Sequence, residues 1–447
     1  MQRITLIIII SFLTWHGFSQ GTMSFRQADS ITYALYNQKN WNELIVRGKE
    51  AVSEGHDYYY MRMRLGIAYH EKRNYSKATD NFIKALAFNA GDPVALEYLF
   101  YSYYLSGRYF QAWTIVQEIN RADRERIIKE SGIKKNSLTA ESFYLNAGTE
   151  DITSDPAMNF TNNEGGSQVV TKYFINNAVY LSHLTGKRTS YYHSFTNLIK
   201  HNHLHYFDGF LRADLGDQRV IQNQYYGRIN FFTPSGWIFS PSFHILTVGY
   251  PLIAISYSGS GTNYSTYTYD ARTNGFAGGF SIIRTGGYVS FSAEAVYSKL
   301  NKSEELQGTF GLTFYPAGNR NLYLGGSITA GSNPGADSTK LRLVTSFIAG
   351  FSIKNHVWFE FSGAVGKMKN HTEQNGLIVY NGIDYPTVKY NGRIIVPFYK
   401  AGISLFAGAG FGTYSSEFLP FDAVNNFDPN KLNYNNYSVT GGLSWNF

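Results

Sequence analysis

Two hydrophobic rhythms divide the chain. From residue 24 to 136 the apolar positions follow the spacing of a helix face; beyond 140 they alternate with a period of two. The helical stretch also repeats. Trp41, Tyr75 and Tyr109 lie 34 residues apart, as do Ile31, Leu65 and Leu99, and Leu35, Tyr69 and Tyr103. A period of that length predicts stacked helical hairpins. In the second stretch Val289, Phe291, Ala293 and Ala295 oppose Ser290, Ser292 and Glu294, and Leu306, Gly308, Phe310 and Leu312 oppose Gln307, Thr309 and Gly311. Such segments are strands with one apolar and one polar face.

About fourteen strands are expected, the first near 141–149 and the last at 434–447; twelve to sixteen fit, because 150–171 and 369–398 are ambiguous. Short turns are predicted at 184–187, 233–236, 285–287, 316–320 and 354–355, and longer polar loops near 200–219, 250–268, 332–338, 369–384 and 414–433. Long strands with alternating short and long connections predict an antiparallel transmembrane β-barrel rather than a soluble sandwich. The final strand places Tyr437, Val439, Gly441, Leu443, Trp445 and Phe447 on one face.

Composition sharpens this division. Residues 21–140 hold 30 of the charged side chains in 120 positions, and residues 141–447 hold 40 in 307. Of the 43 glycines, 35 fall in the second region, where they suit curved strands. There is no cysteine, which excludes disulfides, thiolate metal sites and a thiol nucleophile. The helical region carries a net charge of only about +4, too weak to point to nucleic acid. At the N-terminus, Met1-Gln2-Arg3, an apolar run from Ile4 to Leu13 and small residues Gly17 and Ser19 predict a secretory signal peptide over 1–19. The expected organisation is therefore this peptide, a periplasmic helical domain over 20–136 and an outer-membrane barrel over 141–447.

Leu65, Gly66, Tyr69, Ala78, Phe82 and Ala85 resemble the tetratricopeptide repeat, which implies about three repeats and a surface that docks a periplasmic protein partner. Thr440, Gly442, Trp445 and Phe447 resemble the C-terminal signal read by the outer-membrane barrel assembly machinery. In layout the chain resembles the YaiO-like family and the porin-type exporters of exopolysaccharide systems. That resemblance implies transport or export of a polar polymer or solute across the outer membrane. The alternatives are a non-conducting envelope scaffold that recruits a secretion or assembly complex, and a surface lipid-modifying enzyme.

Arg228, His244, Glu294 and Glu360 are expected to face the lumen near mid-height as a charged belt. His201, His203 and His205 are expected in an outer loop as interfacial aromatics, since alternate residues of an extended chain stand too far apart to share one zinc. His193-Ser194 and His183 form no traceable catalytic set, so no enzyme activity, no cofactor and no metal are expected.

Overall fold

The computed structural model describes residues 23–146, 166–207, 212–257, 264–334, 341–354, 356–420 and 431–447. The predicted signal peptide lies outside these residues. By packing, the chain divides after Leu99 into two compact units.

Among the described residues seven helices come first: α1 (Phe25–Asn37), α2 (Trp41–Ser53), α3 (Tyr59–Glu71), α4 (Tyr75–Phe88), α5 (Pro93–Leu105), α6 (Tyr109–Val116) and α7 (Arg121–Ser131). The starts of α1, α3 and α5 are spaced by 34, as are those of α2, α4 and α6. The repeat extends to the backbone. Lys39, Arg73 and Gly107, each 34 apart, all turn with positive φ. Asn40 and Asn74 then cap the following helices by accepting from the N–H three residues on. Holding Lys and Arg left-handed costs about 1 kcal/mol each, so these turns are imposed by the hairpin packing around them.

In the first unit Leu65, Gly66, Tyr69, Ala78, Phe82 and Ala85 are all buried. A Cβ on Gly66 would stand 2.6 Å from the Phe82 ring, so the missing side chain is what lets α3 and α4 approach. Arg62 is buried too, and its guanidinium donates to Asp57 and Asn81. The Arg62 hydrogen bond holds the Asp57 carboxyl below its ordinary value. The Tyr58 hydroxyl, followed by Arg64, does the same for Asp29 against a partial offset from burial.

The second unit holds the barrel. Its wall strands are β1 (Asn136–Asn146), β2 (Gly166–Thr185), β3 (Thr189–Phe207), β4 (Arg212–Phe232), β5 (Trp237–Tyr257), β6 (Tyr264–Arg284), β7 (Val289–Leu300), β8 (Ser303–Phe314), β9 (Leu322–Ser332), β10 (Arg342–Ile353), β11 (Val357–Gly366), β14 (Tyr385–Phe398), β15 (Ile403–Glu417) and β17 (Lys431–Asn446). All pair antiparallel, and β1 pairs with both β2 and β17, so fourteen strands close the ring. Three short strands are additional: β12 (His371–Glu373), β13 (Ile378–Tyr380) and β16 (Leu419–Pro420). β16 pairs with Gly166 and Ser167, covering the part of β2 that the shorter β1 leaves open.

Each expected strand has its counterpart, but the boundaries of the first six shift. The first begins at Asn136, only five residues after α7. Strands β3 to β6 run 19–21 residues, so much of 200–219 and 250–268 is ladder and not loop. Above the membrane both faces of a strand meet water, so the alternation fades while the backbone pairing continues. The outward face carries the apolar set, including Phe195, Phe243, Phe310, Leu324, Leu343 and Val439, each 40–60% exposed to the surroundings. This is the wall of a transmembrane-type barrel. Among the described residues, no helix is long and apolar enough to cross a membrane.

Helices α6 and α7 belong to the same unit as the barrel. Trp113 Nε1 donates to the Gly186 carbonyl at 2.9 Å in the β2–β3 turn, Gln111 Nε2 donates to Thr285 Oγ1 at 2.6 Å in the β6–β7 turn, and Phe110 stacks on Phe232. The Arg320 side chain of the β8–β9 turn lies against Gly107, leaving no room for a Cβ there. Helix α6 thus grips the turn end of three hairpins, and the turn before it meets a fourth.

Candidate functional site: a lumen closed by a hairpin

The segment between β11 and β14, expected as an outer loop, folds inward as the β12–β13 hairpin. Gln374, Asn375 and Gly376 all take positive φ, and an Asn-Gly pair is the usual residue choice for such a turn. The tip packs against the β4–β7 wall. Glu294 accepts from the Asn375 backbone N–H at 2.9 Å, Ser242 donates to the Asn375 carbonyl at 2.7 Å, and Asn375 Nδ2 donates to the Ser240 carbonyl at 2.8 Å. His244 Nδ1 donates to the Gly376 carbonyl at 2.7 Å. Gly279 makes this approach possible, because a Cβ there would stand 2.5 Å from the Asn375 amide oxygen.

The stem is held by side chains from the rest of the ring. Gln307 accepts from the Thr372 N–H at 2.9 Å and contacts His371 Nδ1 at 2.8 Å. Lys389 pairs with Glu373 at 2.6 Å. The hairpin's outer limbs are fixed by Asp384 and Lys369. Asp384, 1% exposed, meets Lys200 at 3.2 Å and accepts from the Thr171 N–H and the Tyr434 hydroxyl. Lys369, with Lys367, pairs with Glu417. Buried charge demands this degree of pairing.

The four predicted lumen residues point inward, and no hydrogen bond or ion pair links any two of them, although Arg228 and Glu294 are near enough for their charges to interact. His244 and Glu294 hold the hairpin tip. Arg228 lies over the Tyr192 ring at 4.8 Å. Glu360 sits on a different wall and accepts from the Tyr323 hydroxyl, opposite Arg393 in the ladder. The hairpin intervenes between residues that a bare ring would have left facing one another. The Asn375-Gly376 dipeptide, followed by Ile378, Val379 and Tyr380, is the sequence signal that marks it.

His201, His203 and His205 lie within β3 and not in a loop. His201 stacks on Tyr173, and the His203 and His205 rings stand 4.6 Å apart, with His203 Nδ1 2.9 Å from Asp217. A register shift between His203 and His205 interrupts the alternation. Among the described residues, no group of His, Asp and Glu is arranged to hold a metal. His193 lies beside His183 and hydrogen-bonds Tyr225, whereas Ser194 is buried beside Thr196. Thr440 and Gly442 lie on the lumen face of β17; Trp445 and Phe447 are partly exposed at its end, with ring centroids 4.7 Å apart.

A cavity of about 970 Å³ remains beside the hairpin, lined by residues from all fourteen wall strands. It survives partly because the lumen positions of β15 are Gly408, Gly410 and Gly412, paired with Arg393, Asn391 and Lys389.

No protein-family model matches the sequence, and no curated protein matches it. Solved barrels are similar in architecture. The toluene transporter TodX of Pseudomonas putida shares 8% identity, with 70% of this chain and 90% of that chain covered and a TM-score of 0.45. The toluene transporter TbuX of Ralstonia pickettii shares 7% identity over 70% and 90%, with a TM-score of 0.42. A FadL homologue of Pseudomonas aeruginosa shares 8% identity over 80% and 93%, with a TM-score of 0.40. The chain is a fourteen-stranded, transmembrane-type β-barrel whose lumen holds an inserted hairpin.

Proposed function

We propose that this protein is an outer-membrane transport barrel that passes a small solute through its lumen, with the β12–β13 hairpin as the constriction. The observation that carries this is the cavity of about 970 Å³ that adjoins the hairpin and touches every wall strand. Its size falls within the range of about 300–1,000 Å³ typical of ligand sites, which favours one solute at a time over a polymer. Its lining mixes Phe143, Phe174 and Leu198 with Asn176, Asn391 and Arg393, which suits a solute with both apolar and polar parts.

The helical hairpins are read as the docking site for a periplasmic partner. Tyr60 and Val94, at equivalent positions 34 residues apart, are both exposed. The terminal strand, with Trp445 and Phe447, is read as the signal for barrel assembly. Neither role is needed for the transport proposal.

The test is planar-bilayer recording of the full chain beside a variant in which residues 372–379 are replaced by a short Gly-Ser linker. The variant is expected to conduct more than the parent chain. Equal conductance would remove the hairpin as the constriction, and no conductance from either, in folded barrels, would remove transport.

A further inference from the structure

The lumen face of β15 is the floor of a trough. Gly408, Gly410 and Gly412 take three successive inward positions, with Phe406 next on the periplasmic side and Tyr414 next on the outer side. The neighbouring strands supply two rims: Arg393, Asn391 and Lys389 on β14, and Thr440, Ser438 and Asn436 on β17. A Cβ on Gly410 would stand 2.5 Å from Ser438 Oγ and against Asn391 Oδ1, and one on Gly408 would stand 2.9 Å from Thr440 Cγ2. The rim side chains thus lean over a floor that has none of its own. At about 3.3 Å per residue the glycine floor is about 13 Å long, and the rims stand about 10 Å apart, two strand spacings. Both rims border the cavity of about 970 Å³.

Two observations say what chemistry fits there. Asn436 is only 1% exposed, lines the cavity, and neither its Oδ1 nor its Nδ2 has a hydrogen-bond partner among the described residues. A buried carboxamide left so is costly, and a hydroxyl is a group that answers both of its atoms, since it donates and accepts. The rim charges, by contrast, are already met. Lys389 pairs with Glu373 at 2.6 Å, and Arg393 faces Glu141 at 3.8 Å. An anion therefore finds no uncompensated cation on either rim, and what remains for a solute is neutral amide and hydroxyl. Phe143, Phe174, Ile378 and Val379 add apolar surface to the same cavity.

We propose that the trough on β15 is a binding site for an uncharged disaccharide. This rests on the reading of the lumen as a solute path and names the solute's class. Sugar hydroxyls meet Asn436, Ser438, Thr440 and Asn391 along the rims. The C–H faces of the rings lie against the cavity's apolar surface, and the bare glycine floor lets a ring approach the backbone closely. Phe406 and Tyr414 limit the length, so a longer chain has to leave the floor. Peptides and sugar phosphates bring charges that the rims do not answer, and burying them unpaired is unfavourable.

The test reads binding at equilibrium, apart from conductance. The full chain is folded in lauryldimethylamine oxide, a detergent without a sugar headgroup. Saturation-transfer difference NMR is then recorded with maltose, cellobiose and trehalose, and with glycylglycine and glucose 6-phosphate as charged solutes. A saturable signal is expected from at least one disaccharide and none from the charged solutes. Asn436→Ala is expected to weaken that binding about tenfold, the loss of two hydrogen bonds, and Ser438→Ala about threefold. Asn274→Ala, on the outward face of β6 where it bonds Thr247, is expected to bind as the parent does. All variants are first checked for folding by heat-modifiable gel mobility, and Ser438→Ala carries the test if N436A does not fold. No signal from any disaccharide, parent-like affinity in the folded rim variants, or equal signal from a charged solute would overturn the proposal. A chain that conducts but binds no disaccharide would overturn it and leave transport standing; one that binds yet never conducts would remove transport and leave the site.

Discussion

Single residues decide how firmly the hairpin sits. Gly279 is the position where the wall yields to the Asn375 side chain. Gly279→Val is expected to push the tip out and raise single-channel conductance, and to lower stability by about 1–3 kcal/mol through overpacking. An unchanged conductance with a lowered melting point would mean that the tip does not limit passage. Asp384 acts at the other end of the segment, where it answers Lys200, the Thr171 N–H and Tyr434. Asp384→Asn strands the lysine and is expected to cost about 3 kcal/mol, read as a lower gel-shift midpoint. Lys200→Met combined with Asp384→Asn should recover part of that loss, because the lysine is then no longer left uncompensated. These residues were not legible as a set. Asp384 and Lys200 are 184 apart in sequence, and nothing local announces that they meet.

Strand order and number were legible, because lipid on one side and water on the other enforce the alternation. The inward hairpin was not, because a polar segment that lines a lumen has the composition of one that faces bulk water. The long upper ends of β3 to β6 were missed on similar grounds. The grip of α6 on the barrel turns was also hidden, since Trp113 and Gln111 read equally well as ordinary helix residues. Trp113→Ala removes the bond to the Gly186 carbonyl and the stacking surface for Lys135. It is expected to speed limited proteolysis between α6 and β1 several-fold while leaving the gel mobility of the folded barrel unchanged. Equal proteolysis of variant and parent would show that α6 is held by other contacts.

For the whole molecule, acid should separate the two kinds of structure. Asp29 and Asp57 both have folded values below the ordinary 3.8. A depressed carboxyl stabilises the fold above its unfolded value, and that contribution disappears as pH falls through the lower folded value. The helical far-ultraviolet signal is therefore expected to weaken from about pH 4 downward, while the barrel keeps its folded gel mobility. Both carboxylates are substantially exposed, so the effect should shrink in high salt. Loss of both structures together would contradict it.

What solvent enforces one residue at a time is written along the chain. The 34-residue repeat follows from helices that must bury one stripe, and the fourteen alternating segments follow from strands set between lipid and water. What depends on residues far apart in the chain shows only in the closed ring: 367–384 turns inward, His244 and Glu294 hold its tip, and Glu360 stands apart from them. Each of these is fixed by ladder register and ring closure. A register is a relation between strands, so it is written in no single strand.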